Sequence, residues 1–186
     1  MAAHDVGDIA IEFANIGYDT DDARPALASW ASDRLARQRL DATSLRRVVG
    51  VHAAVCAVLG GRLDGTMVDH AEAIAIVNRA SAETPVSPVL IVHADGAVTA
   101  GIAQPPRDLA SLLAAISRST IDLASSQADR LRRCEGPGCG RFFLRDRAHR
   151  NWCTLGCGNR ARVARHYARH TTTHSHAVAS STETRS

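Results

Sequence analysis

Apolar positions recur at helical spacing over four stretches of the first 129 residues and give way to β-rich runs between residues 88 and 104. The first clear stretch has acids and Pro25 at its start and then Leu27, Trp30, Ala31 and Leu35 at helical spacing, which predicts a helix from about Arg24 to Arg39. Asp41 or Thr43 can cap a second helix. Its broad face is Leu45, Val48, Val49, His52, Val55, Cys56 and Leu59, and Gly60-Gly61 is its expected end. Cys56 within that face reads as a small buried hydrophobe, and His52 one turn before it makes an unspecific i, i+4 pair. Thr66 to Arg79 forms the third helical pattern, with Met67, Ala71, Ile74 and Val77 inward, while His70 and Glu72 are exposed or locally paired.

Pro85 and Pro88 end that pattern, and two β-rich runs around Ala94-Asp95-Gly96 predict a hairpin with Asp95 as turn chemistry. After Pro105-Pro106 a long helix is expected, with Asp108 in its first turn and an apolar stripe of Leu109, Leu112, Leu113, Ile116, Ile121, Leu123 and Ala124. The run Ile9 to Ile16 is too short for periodicity to choose between helix and strand. The fold class that follows is mainly α: a helical N-terminal domain over residues 1–129 with one β-hairpin, then a different kind of module.

That module is the segment from Cys134 to Cys157, which holds four of the five cysteines as C-x4-C-x13-C-x3-C. Two close pairs of soft ligands separated by a foldable span suit a tetrahedral metal ion, so Cys134, Cys139, Cys153 and Cys157 are the expected ligands of one structural Zn2+. Glu135-Gly136-Pro137-Gly138 makes a knuckle between the first pair. Arg141 to Arg145, a polar turn and a return through Asn151-Trp152 make an expected hairpin, and Cys153 and Cys157 are expected in the first turn of a helix that continues to about Arg169. Knuckle, hairpin and helix describe a treble-clef-like finger over residues 130–170. A module of about 40 residues buries too little to fold alone, and thiolate-bound Zn2+ can supply roughly 10–16 kcal/mol. Four protein ligands leave no open position for substrate. His149 is an unneeded substitute ligand, and His166, His170, His174 and His176 read as adventitious. The Ser/Thr-rich residues 171–186 are expected to be a disordered tail.

Charge divides the chain at the same place. Residues 1–129 carry 10 Arg against 16 acids, whereas residues 130–170 carry 11 Arg against two acids. A folded segment this basic attracts polyanions, and nucleic acid is the commonest. All 22 basic residues are Arg, so arginine usage by itself is weak evidence for phosphate recognition. The start MAAHDVGD lacks the basic and apolar regions of a signal peptide, and no apolar run approaches the ~20 residues of a membrane span, so a cytoplasmic protein without membrane contact is expected. In that reducing compartment clustered cysteines are metal ligands more often than disulfides.

The run WCTLGCGNRARVARHYARH, with Cys157-Gly158-Asn159-Arg160 at its centre, resembles the CGNR zinc-finger family. In that family the finger follows a mainly helical domain called ABATE. IAIEFAN is similar to the opening of that domain, and ISRSTIDLASSQADRLRRC to its passage into the finger. The resemblance implies transcriptional regulation and places zinc ligands on the four cysteines already selected by spacing. Gly158 can permit close packing, and Asn159 or Arg160 can hydrogen-bond the knuckle or a thiolate, supporting the metal site without reading DNA.

These features lead to the expectation of a zinc-dependent, DNA-binding transcription regulator. Arg141, Arg145, Arg147, Arg150, Arg162, Arg165 and Arg169 are expected to contact double-stranded DNA, mostly at phosphates, while the helical domain senses a small-molecule effector or forms a homodimer. The alternative is a finger that binds a protein partner or RNA. No Gly-rich phosphate loop, paired carboxylates or nucleophile constellation argues for an enzyme.

Overall fold

The computed structural model describes residues 6–37, 39–102 and 108–179. The chain divides into two compact units, residues 1–131 and 132–186. The first unit is a helical bundle with one hairpin: α1 (Val6–Ala14), α2 (Arg24–Arg34), α3 (Ala42–Asp64), a 3-10 turn (Met67–His70), α4 (Ala71–Ala82), β1 (Pro88–Val92), β2 (Val98–Ile102) and α5 (Leu109–Ala124). The run for which periodicity does not decide is therefore helix. In α1, Ala10, Phe13 and Ala14 face the core, with the Phe13 ring 5.1 Å from Trp30 and edge-on to His52 at 5.3 Å.

Helices α3 and α5 form the centre of the bundle, each packing against α1, α4 and the other. Val48, Val51, Ala54, Val55, Val58 and Leu59 of α3 are buried, while Leu45, Val49, His52 and Cys56 from the expected face sit half-buried at its margin. Asp41 is the N-cap, its carboxylate accepting from the Ser44 amide at 2.7 Å. The expected end at Gly60-Gly61 is overturned. The helix runs on to Asp64 and stops at Gly65 in the left-handed region, φ 72°. Gly61 serves a different purpose: a Cβ there would meet the His70 ring at 2.3 Å, so the missing side chain lets His70 fold back onto α3. His70 lies within 3.3 Å of the Thr66 hydroxyl, the local pairing expected of it. Helix α3 passes a test of length and composition for crossing a membrane, a test that the core helix of a globular domain passes as well. Its packing against α1, α2, α4 and α5 accounts for that composition as a core helix.

Two other expectations change for geometric reasons. Helix α2 ends at Arg34 instead of Arg39, because Ala36 and Arg37 take positive φ (52° and 64°) and turn Leu35 into the core. In α5, Leu112, Leu113, Ile116 and Leu123 are buried as predicted, but Ile121 is 39% exposed. Lying about two and a half turns beyond Leu112, it points to the opposite side of the helix. Ser117, Ser119 and Thr120 are buried in its place, and the Thr120 hydroxyl donates to the Ile116 carbonyl at 2.9 Å.

The α5 start is a reciprocal capping box. The Asp108 carboxylate accepts from the Ser111 amide at 2.8 Å, and the Asp108 amide donates to the Ser111 hydroxyl at 3.2 Å. The β1–β2 hairpin is antiparallel, with Gly96 at φ 80° and the Ala97 amide donating to Asp95 Oδ1 at 3.0 Å, which is the turn role expected of Asp95.

Loss of the α5 cap in Asp108→Ala is expected to cost about 1 kcal/mol, read as a lower urea midpoint of the far-UV signal. A second expectation concerns acid. Burial beside Phe13 holds the His52 pKa below its ordinary 6.5, so the unfolded chain takes up that proton more readily. The stability this contributes is complete above pH 6.5 and is lost as pH falls through 6.5 and on through the folded value. The thermal midpoint should therefore fall between about pH 7.5 and about pH 5.5, and fall less in His52→Gln.

Candidate metal centre

The second unit carries β4 (Phe142–Leu144) and α6 (Leu155–Ala179), and β3 (Leu131–Arg133) leads into it. Strands β3 and β4 pair with each other, so the hairpin flanks the knuckle instead of following it as expected. The Cys134 amide donates to the Arg141 carbonyl at 2.9 Å, closing the strand pair at the knuckle. Residues 151–152 are not strand. Their return is fixed by the Glu135 amide, which donates to the Asn151 carbonyl at 3.1 Å and brings Cys153 beside the knuckle.

Within the knuckle the Cys139 amide donates to the Gly136 carbonyl at 2.9 Å, and Gly138 takes φ 68°. A Cβ on Gly136 would stand 2.9 Å from the Cys157 Cβ, so this glycine is what lets α6 approach. Thr154 precedes α6, and its Oγ1 accepts from the Cys157 amide at 3.2 Å. Cys157 lies in the first turn, as expected, whereas Cys153 precedes the helix. The helix continues past residue 170 to Ala179, since each residue added to an existing helix adds a hydrogen bond without a new nucleation cost. The remainder of the expected tail, residues 180–186, lies outside the described residues.

The outcome is a cluster of four sulfurs, Cys134, Cys139, Cys153 and Cys157, all within 4.8 Å of one another. Cys139 and Cys153 sulfurs are 3.8 Å apart, and those of Cys153 and Cys157 3.6 Å. Sulfurs at the corners of a tetrahedron around Zn2+, each ≈ 2.3 Å from the ion, stand about 3.8 Å apart, so the donor set fits that ion in size and in chemistry. Phe143 is buried against the cluster, with Trp152 packed beside it. Gly158 faces the Trp152 ring, where a Cβ would come within 3.2 Å. His149 is exposed and outside the cluster.

Several donors point at the sulfurs. Cys134 Sγ accepts from the Cys153 amide at 3.3 Å and from the Gly136 amide at 3.5 Å, and Cys157 Sγ accepts from Arg160 Nη2 at 3.0 Å. The Arg160 guanidinium thus lies against the Cys157 sulfur, while the Asn159 side-chain oxygen turns to Arg162, accepting from it at 2.8 Å. Burial pushes the Cys153 thiol up to about 12, while the hydrogen bond with the Thr154 side chain holds Cys157 down at about 7. Burial also raises the Cys139 thiol. A divalent cation is the natural counter-charge for thiolates held this close together.

The arginines divide by what they touch. Arg150 donates to the carbonyls of Trp152 (3.1 Å) and Cys153 (2.8 Å), pairs with Asp146 at 3.3 Å and lies over the Phe143 ring at 5.2 Å. Arg165 donates to the Ala161 carbonyl at 3.3 Å and lies over Trp152 at 5.8 Å. Arg145 makes a long contact, 3.4 Å, with the Ala148 carbonyl, and Arg141 is half-buried. Arg147 and Arg162 are exposed. The side chain of Arg169 lies outside the described residues. Thr154 and Gly136 carry roles that the cysteine spacing does not reveal, although a Thr just before a helical run is an N-cap signal.

Four cysteine sulfurs brought together in a finger are a donor set that could hold a zinc ion. Residues 130–170 match the family model of the CGNR zinc finger, and residues 7–127 match the ABATE model, described as "Putative stress-induced transcription regulator". The chain belongs to the ABATE family, with a CGNR zinc finger after the ABATE domain. Neither model describes an enzyme. No curated protein matches the chain.

Chelation of metal, or Cys153→Ser, is expected to unfold residues 134 to about 169 while most of the far-UV helical signal of the first unit survives. Circular dichroism with hydrogen exchange reads the split, and metal analysis should return one Zn2+ per chain. A finger that stays protected from exchange without metal would refute the assignment.

Proposed function

We propose that this chain is a zinc-dependent, DNA-binding transcription regulator in which one Zn2+, held by Cys134, Cys139, Cys153 and Cys157, fixes a basic finger against duplex DNA. The observation that carries the reading is the concentration of 11 Arg against two acids in residues 130–170, beside an acidic first domain. Family membership in a regulator class and the compact sulfur cluster support it. The phosphate-contacting set is Arg141, Arg145, Arg147, Arg150, Arg162, Arg165 and Arg169. Within it Arg147, Arg162 and Arg165 are exposed and suited to reach a partner, and Arg150 and Arg165 also hold the finger together. Arg160 and the backbone amides around Cys134 compensate the charge of a four-thiolate centre. The helical domain senses an effector or brings two copies together.

A second reading, docking of a protein on the finger, is favoured by one observation. Leu155, Val163 and Tyr167 recur at four-residue multiples along α6 and are all exposed, Leu155 to 90%.

Binding of zinc-loaded protein to random-sequence duplexes, followed by anisotropy across a salt series, separates the two. The DNA reading expects affinity to fall linearly on a log–log plot, by about 0.9 log units per phosphate contacted for each decade of salt, and the slope to shrink by about one contact in Arg147→Ala or Arg162→Ala. Absence of any duplex binding at low ionic strength sinks it, and capture of a protein partner that Leu155→Ser abolishes would put the second reading in its place.

A further inference from the structure

Helix α6 has two parts with different surroundings. Its start is built into the finger: Cys157 joins the sulfur cluster, Gly158 faces the Trp152 ring and Ala161 is buried. From Arg162 to Ala168 every side chain is exposed, and the helix still runs on to Ala179. Most of the stability of a protein helix comes from packing one face against something, and along this stretch the finger covers none. The root is anchored, so whatever meets the bare part meets it in a fixed orientation.

Residues 155–179 contain four Arg and no acid, so the helix complements a polyanion along its length. His166 lies about two and a half turns beyond Cys157 and therefore on the opposite side, turned away from the finger. Val163, 53% exposed, is its neighbour at i−3 on one flank. Arg162 stands at i−4 on the other flank, donating to Asn159 Oδ1 at 2.8 Å, and beyond it Arg165 leans back over the Trp152 ring. The outermost line of α6 is thus an imidazole beside an isopropyl group, with arginines along one side. Phosphates require only charge and N–H donors. A ring that donates or accepts, set beside an apolar group, matches base edges in the major groove, where purine N7 and O6 or N6 groups alternate with thymine methyls. A helix about 10–12 Å across also fits the major groove, about 12 Å wide, and not the minor groove, about 6 Å wide. We propose that α6 lies in the major groove of duplex DNA with Val163 and His166 against base edges and Arg162 at the adjoining phosphates. The inference rests on the DNA-binding reading and adds to it the groove and the residues that read sequence.

The test uses the zinc-loaded full chain and a pool of random-sequence duplexes. Bound duplexes are selected and sequenced, and the preferred one is methylated beforehand with dimethyl sulfate, which modifies guanine N7 in the major groove and adenine N3 in the minor groove. The expected result is a preferred run of bases within which N7 methylation blocks binding and N3 methylation does not. His166→Ala, at an exposed position and with a better helix former, keeps the fold. It is expected to lower affinity for the preferred duplex roughly tenfold and to relax the preference at about one or two base pairs. Its salt slope should equal that of the wild type, whereas Arg162→Ala lowers the slope. Interference at adenine N3 instead, binding without sequence preference, or an unchanged preference in His166→Ala overturns the groove placement and leaves DNA binding standing. The methylation pattern is read on the wild type and so decides the matter even if the variant misfolds. A wild type that binds no duplex at all removes the DNA-binding reading, and this inference with it.

Discussion

Four sulfurs within 4.8 Å of one another constrain the second unit more tightly than any packing contact in it. Thiolates that close repel, so a cation among them would stabilise the arrangement. Every local device in residues 134–157 serves that convergence. Gly136 leaves room for the Cys157 Cβ, the Glu135 amide holds the returning chain at Asn151, and Thr154 caps the helix that carries Cys157. The buried apolar part, Phe143 with Trp152 beside it, is small, and a metal ion among the sulfurs would supply what a core supplies in a larger domain.

The first unit solves its folding problem in the opposite way, with area in place of a cation. Helices α3 and α5 bury continuous apolar faces against α1 and α4, and polar groups within the bundle are settled locally, as with the Thr120 hydroxyl on its own helix. Ion pairs join elements distant in sequence, Glu12 with Arg34 and Arg47 with Glu83, but they are substantially exposed and add little. Specificity comes from close approaches, such as His70 on Gly61 and Phe13 beside Trp30 and His52.

The sulfur cluster and the helix content are legible in the sequence because both are written at short range: ligand spacing and the 3.6-residue period need no knowledge of what packs where. Expectations fail where a residue's meaning depends on a distant partner. Gly60-Gly61 reads as a stop because glycine breaks helices in isolation, yet Gly61 sits within the helix because His70 needs its space. Ile121 reads as part of the α5 stripe because apolar residues are dense there, although the helical period turns it outward. The finger's strand pairing is hidden by a longer-range version of the same problem. Arg141 to Arg145 is β-rich whichever neighbour it pairs with, and only the three-dimensional path shows that the partner is β3.

The arginines of the finger illustrate why charge read from sequence and contacts read from structure answer different questions. Arg150, Arg160 and Arg165 each donate to a carbonyl or a sulfur of the finger itself, which commits some of their N–H donors within it. Bonding to neutral carbonyls does not cancel their charge, however, and the field outside the finger still reflects the excess of Arg over acids. On the DNA-binding proposal, long-range attraction and close contact would fall to different subsets: the whole arginine complement would steer a polyanion, while exposed side chains such as Arg147 and Arg162 would meet its surface. A finger that uses some arginines to hold its own returning chain in place keeps the field of all of them, and the rigidity so gained would present the exposed ones to a partner in a fixed arrangement.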